Sequence, residues 1–450
     1  MKILPAFILV GFASLAFAQE KDVALTVYSN NLALVKEVRT IQLPKGTSEV
    51  RFTDVAAAID PTSVHFTSLT DPGDVDLIEQ NYEYDLVNSN KMLQKYIDQE
   101  ITVHTEQDGP FQGRLLSASQ KAIMLQMKAG NIKSIAMDPI ISIDYPALPE
   151  GLITRPTLVW LINSQKAGDH QAEVSYLTAN MSWHAEYVAV CKKNDSLLEL
   201  NSWVSIENQS GADYDNAKLK LIAGDVHRAE PPPGRLMAKG LDMMAEQAAP
   251  QFEEKQFFEY HLYTLQRRAT VNNNQIKQIS LFPPAEIKAD KIYCYNGALH
   301  GEAVRVTMAF QNSKGSGLGI PLPKGKVRVY KQDDADNSSE FVGEDLIAHT
   351  PQDEKVRIQL GNAFDIKGER IQKEMKQLSE RSHEETWQIT LRNHKKEAVR
   401  VVVEEQLQGD WKIRKESQPH KKKDATTIEF EVPVEKDGEA VVEYTVLFKW

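Results

Sequence analysis

Cysteine is nearly missing from this chain of 450 residues, with Cys191 and Cys294 the two present. So low a count excludes a disulfide scaffold and zinc sites built from cysteine pairs. One bridge between Cys191 and Cys294 stays open as a possibility, because an exported protein can keep it and so long a loop would restrict the unfolded chain. Each cysteine also sits in a strand-like run, "EYVAVC" and "KIYCY", where a buried thiol is ordinary. Positive charge is scarce too. With 52 Lys and Arg against 63 Asp and Glu the net charge is −11, which disfavours a nucleic-acid partner. The basic spots "HKKKD" (420–424) and "RNHKKEAVR" (392–400) read as solvated turns or lysine-guarded strand edges.

Apolar runs long enough to span a bilayer are missing as well. Lys2, the apolar run 3–12 and "AFA" at 16–18 instead compose a signal peptide cleaved near Ala18. The mature chain is therefore expected to be exported, periplasmic or extracellular, with no transmembrane segment. No cysteine follows the cleavage site to take a lipid anchor.

Recognisable catalytic spacings are also lacking. The eleven histidines form no H-E-x-x-H pair, and there is no G-x-S-x-G elbow or S-x-x-K pair. "GSGLG" at 315–319 runs into "IPLP", which cannot open a helix to receive phosphate. No cofactor and no metal follows from these patterns. "DADNSSE" (334–340) and Asp213 with Asp215 offer carboxylate oxygens, but without the twelve-residue calcium loop. The best catalytic constellation is Asp213, Asp215, Asp225 and His227. Asp225 and His227 share one face of a strand end, where a carboxylate can orient an imidazole.

A plainer reading makes that constellation a turn. Three strand-like runs enter an asparagine and return as another strand: "WVSIENQSGADYDNAKLKLI", "VRVTMAFQNSKGSGLGIPLPKGKVRVY" and "WQITLRNHKKEAVRVVVEEQL". Asn208, Asn312 and Asn393 hold the same place. Asparagine suits it because the side chain caps the turn and tolerates a left-handed backbone.

What the chain has in abundance is period-two alternation. The fold class is expected to be mainly β, with tandem antiparallel β-sandwich (Ig-like) regions and a small Sm/SH3-like barrel insert. The insert follows from one helix, "NSNKMLQKYIDQ", capped by Asn88 or Ser89, and from five short strands packed close behind it. Closing such a sheet would remove its edges. The expected layout is a signal peptide 1–18, an N-terminal β region 19–87, the helix and barrel 88–146 and a sandwich region 147–228. A flexible excursion 229–256, rich in proline and alanine, and a C-terminal sandwich region 257–450 complete it. Residues 368–386 have helical propensity, but their place between strands favours a hairpin arm. The final run, "VVEYTVLFKW", reads as a packed strand with Trp450 anchored in the core.

The phrases "NQSGADYDNAKLKLIAGDVHR", "FEYHLYTL", "GLGIPLPKGKVRVYKQDD", "VGEDLIAHTP" and "EETWQITLRNHKKEAV" occur here in order. Together they resemble a secreted bacterial family, domain-of-unknown-function family 4139. Gln266 and Arg267 depart from its pattern, in a place where a proline-containing phrase is expected. Distant mucoidy-inhibitor relatives carry a coiled coil, whereas no sustained heptad occurs in this chain. The resemblance implies an exported β-sandwich protein of the envelope and transfers no functional residue. The leading expectation is a non-catalytic binding or structural protein, with an envelope protein or glycan as partner. Two alternatives remain: an exported hydrolase with a dispersed polar site, and an outer-membrane-associated protein.

Overall fold

Alternation in the sequence becomes alternation of burial. In the strand Met181–Cys191 every second side chain, starting from Met181, is buried. Each fully buried Val, Leu or Phe of such a stripe contributes about 1.5–3 kcal/mol. The computed structural model describes residues 21–192, 195–224, 226, 252–257, 260–333 and 335–450, and for 253–257 the backbone alone. The fold is mainly β, and its sheets are sandwich-like rather than closed barrels.

An eight-stranded sheet runs Phe252–Phe257, Tyr260–Leu265, Tyr214–Ala223, Asp22–Tyr28, Ala33–Leu43, Gly168–Thr178 and His65–Ser68, with Ala269–Val271 also paired to Tyr214–Ala223. A six-stranded sheet runs Gln275–Ser280, Leu197–Asn208, Met181–Cys191, Gly325–Gln332 and Ser339–Ile347, with Ala285–Lys288 also paired to Leu197–Asn208. These two sheets share one core with a three-stranded sheet of Gly46–Thr53, Thr157–Ser164 and Val75–Glu83. Nine strands from Asp290 onward build a second core, which includes Tyr295, Ile389, Phe430 and Tyr444. Residues on both sides of 257 therefore share the first core, and the nine-stranded sheet takes in only part of 257–450. One parallel pairing, Met181–Cys191 with Gly325–Gln332, and the antiparallel pairings of Leu197–Asn208 with Gln275–Ser280 and Ala285–Lys288 bring this about. A strand's periodicity marks its inward face but not its partner.

The insert has its own small core, where Leu93 and Tyr96 of the helical segment meet Ile101, Leu115, Ile123 and Leu125. Asn88 caps the helix Ser89–Lys95, its side chain accepting from Lys91 N at 3.0 Å. The expected closed barrel is an open five-stranded sheet. Its end strands, Ile132–Ala136 and Ile140–Asp144, do not pair. Between them Met137 N turns back to Lys121 O at 2.9 Å, and a register shift interrupts the pairing of Ile140–Asp144.

Two further expectations change. Most of the excursion 229–256 lies outside the described residues, but residues 252–256 belong to the strand Phe252–Phe257, paired with Tyr260–Leu265. At the chain end, Gly438–Lys449 is paired on both sides and buries Val442, Tyr444 and Val446. Trp450, however, is 64 % exposed. The alternation carries Phe448 inward, and Trp450 then lies beyond the end of the core against the His383 ring, 5.0 Å between centroids. Residues 368–379 and 382–386 are strand, in the hairpin of Lys355–Ser379 and Ser382–Asn393 that turns at 380–381.

Candidate functional site

The three asparagines act as turn clamps. Asn208 Nδ2 donates to Ala212 O (2.9 Å) and Val271 O (3.2 Å), while its Oδ1 accepts from Ser210 N (3.0 Å) and Ser210 Oγ (2.8 Å). Asn312 donates to Ile320 O, Thr350 O and Pro351 O. Asn393 donates to Glu397 O, Val434 O and Glu435 O and accepts from Lys395 N. All three are buried. Their φ angles are negative, and the left-handed conformation falls to other residues such as Asn216 (φ 47°). Side-chain capping is thus the reason for asparagine at these positions, and backbone tolerance is not.

Asp213 is exposed in the first of these turns and Asp215 is exposed at the start of the strand Tyr214–Ala223 that leaves it. Asp213 Oδ1 accepts from Asn273 N at 2.7 Å, and Asn273 Oδ1 accepts from Gly211 N at 3.0 Å, so the carboxylate ties one loop to another. Asp225 and His227 lie outside the described residues. In the acidic loop at 334–340, Asp336 Oδ1 accepts from Ser338 N at 2.8 Å, a turn contact. Among the described residues no three His, Cys, Asp or Glu side chains gather as a metal site. Cys191 and Cys294 are both free thiols, on strands of different sheets. Burial pushes each thiol up to about 11.

The structure instead draws attention to two charges that the sequence places on an inward face. Along Ala33–Leu43 the buried positions are Ala33, Val35, Glu37, Arg39 and Leu43. Glu37 is fully buried and bonded to Arg39, with Arg39 Nε at 2.8 Å. Lys21 Nζ reaches the other oxygen of Glu37 at 3.0 Å, and Tyr176 OH donates to it at 3.4 Å. Burial, with the Glu37 charge beside it, holds the Tyr176 phenol well above its ordinary range. Arg39 also donates to Thr53 O at 2.7 Å and lies over the Phe52 ring, 4.0 Å to the centroid. A cleft of about 720 Å³ opens beside this network, lined among others by Lys21, Asp22, Arg39, Gln171, Asn216 and Arg268. Arg268 is fixed by Asp22 Oδ1 (2.7 Å) and Asn216 O (2.8 Å), and Lys218 pairs with the second oxygen of Asp22 at 2.8 Å. Hydrogen bonds from Lys218 and Arg268 hold the Asp22 carboxyl below its ordinary value. A second cleft, of about 620 Å³, meets the first at Lys21 and contains Asp54, Arg155 and Asp213. Arg155 is paired there to Asp54 at 2.8 Å.

The nine-stranded sheet holds a counterpart. Glu405, 1 % exposed, receives Arg370 Nε at 3.0 Å and Nη2 at 2.8 Å, and the Tyr444 hydroxyl also donates to it. The Arg370 guanidinium covers the Trp387 ring, 3.3 Å to the centroid. Trp387 Nε1 donates to Glu385 at 2.9 Å, and His383 Nε2 lies 3.1 Å from the same carboxylate. Beyond this point Lys355–Ser379 becomes an outer edge, while Ser382–Asn393 stays paired with Gly438–Lys449 along its length. Gly368 N still bonds to Glu302 O at 3.1 Å. Residues 371–379 are all exposed, and among the described residues no strand pairs with their outer edge. Ile371, Met375 and Leu378 stand on this arm at 46 %, 61 % and 45 % exposure.

Stacked sheets around separate cores, clefts of ion-paired side chains and a hairpin with an exposed outer edge define a mainly β protein of the sandwich class. The chain belongs to the family described as Domain of unknown function (DUF4139), whose match covers residues 172–450. None of the curated proteins matches it.

Proposed function

We propose that this is an exported envelope protein that works by non-catalytic binding, its C-terminal arm docking a protein partner. The N-terminal pattern of Lys2, an apolar run and Ala16 to Ala18 supports export. The observation that carries binding is the arm: nine exposed residues with one edge unpaired among the described residues and three solvent-facing apolar side chains. An unpaired edge presents backbone N–H and C=O groups in register for an added strand. Lys376 on the same strand, with the register shifts at 372/374 and 377/379, guards it against indiscriminate pairing. A protein fits this surface better than a glycan, because an added backbone satisfies the ladder. Among the described residues no helix is long and apolar enough to cross a membrane.

The test is cross-linking capture from envelope extracts, using mature protein and a variant carrying Ile371→Asp, Met375→Asp and Leu378→Asp. Wild type should capture a defined protein that the variant, with unchanged melting, does not. Equal capture by both would remove the arm from the binding reaction. Mass spectrometry of the native protein should find its first residue near Gln19. A cytosolic protein that keeps residues 1–18 would rule out export.

A further inference from the structure

We infer that the cleft beside Lys21 is a binding site for a small anionic polyol, a sugar bearing one carboxylate or one phosphate. This site is independent of the arm. Charge is the first element. The whole chain is acidic at −11, so most of its surface repels anions. At the cleft the sign reverses: Lys21, Arg39, Lys218 and Arg268 supply four positive charges against the two of Asp22 and Glu37, a local balance of +2. A concave site of one sign concentrates ligands of the other.

Preorganisation is the second element. Arg39 is held by Glu37 and Thr53 O and rests on Phe52, and Arg268 is held by Asp22 and Asn216 O. Neither guanidinium needs to be ordered when a ligand arrives, which removes part of the entropic cost of binding. Lys21 spends one of its donors on Glu37 and remains partly exposed at the mouth. An ammonium group carries three donors.

Size and lining decide the rest. About 720 Å³ lies inside the usual range for small-molecule sites, roughly 300–1,000 Å³. A bare phosphate would leave most of it to water. Most such sites are lined chiefly by apolar side chains, whereas this one presents Thr40, Gln171 and Asn216 between its cations. Hydroxyl and amide groups spaced around a cationic centre match a ligand whose body is hydroxylated and whose single charge is negative.

Titration calorimetry on mature protein with four probes tests this: glucuronate, glucose 6-phosphate, glucose and inorganic phosphate. At least one of the two acidic sugars should bind, at least tenfold more tightly than glucose and than phosphate, and more weakly at high salt. Whichever of the two binds identifies the anionic group. Lys21→Gln and Arg268→Gln, both at the rim, should each weaken that binding about tenfold, and Arg268→Gln, whose partner Asp22 is exposed, should leave the melting profile in place. The inference is overturned if neither acidic sugar binds, or if phosphate alone binds as tightly. It is overturned equally if both rim variants bind like wild type.

Discussion

The two sandwich cores each bury a glutamate against an arginine and a tyrosine, and they do so differently. In the first core, Glu37 bonds to Arg39 and Tyr176, and the partly exposed Lys21 pairs with its second oxygen from the side. In the second, Glu405 is enclosed by Arg370, Tyr444 and the Trp387 ring that Arg370 covers. Both obey one rule, that a charge taken out of water must find its counter-charge and its remaining hydrogen bonds inside. The difference lies in what the fourth side offers. A lysine at the rim joins the first pair to the floor of a cleft, whereas the second meets the Trp387 ring, both pairs keeping their glutamate buried and their arginine nearly so.

Deleting one partner of a sealed pair leaves a buried charge alone, at a cost of about 3–5 kcal/mol. Glu405→Ala strands Arg370 in this way and should give the largest loss in calorimetry. Glu37→Ala should cost less, because Arg39 retains Thr53 O and water can enter from the cleft. The reverse order would mean that the cleft does not hydrate the first pair.

Next in size come the clamps. Asn312→Ala and Asn393→Ala each remove the side-chain donor to a buried carbonyl, Ile320 O and Val434 O respectively, about 1–3 kcal/mol apiece. Denaturant titration should show Asn312→Ala acting on the first core and Asn393→Ala on the second.

A smaller effect concerns the tie between the cores. Asp195 accepts from Lys331 of the six-stranded sheet at 2.8 Å and pairs with Lys291 of the nine-stranded one. Burial opposes its charge, but the two ammonium groups outweigh burial and hold the carboxyl down to about 2. A depressed folded-state pKa means stability that is present above about pH 4 and lost as pH falls toward 2. Asp195→Asn should therefore remove that part of the acid dependence. An unchanged profile between pH 4 and 2 would take Asp195 out of the tie.

How much of this could be read beforehand follows from what periodicity encodes. Glu37 and Arg39 stand on the inward parity of "LALVKEVRTIQL", as Glu405 does in "EAVRVVVEEQL", so the buried charges were legible as misfits on an apolar face. Their partners were not, since Tyr176 and Arg370 reach them through strand pairing between distant segments. The asparagine turns were legible because capping is local. The clefts were not, because Lys21, Gln171 and Arg268 meet only once the sheet has formed.

The smallest expected effect belongs to Trp450. Parity along Gly438–Lys449 puts Val442, Tyr444 and Val446 in the second core, and Phe448 stacks on His383 at its margin, 5.2 Å between centroids. Trp450 follows the same parity, but the core has ended by then. What holds it is the His383 ring and one backbone bond, Trp450 N to Arg381 O at 3.2 Å. A side chain left mostly in water contributes little burial, so Trp450→Ala should change stability by about 0.5 kcal/mol or less. Phe448→Ala should cost clearly more, because it strips a partly buried ring from the end of the core. Equal losses from the two in calorimetry would show that Trp450 packs into the core after all, and the second sandwich would then extend one residue pair further than its burial indicates.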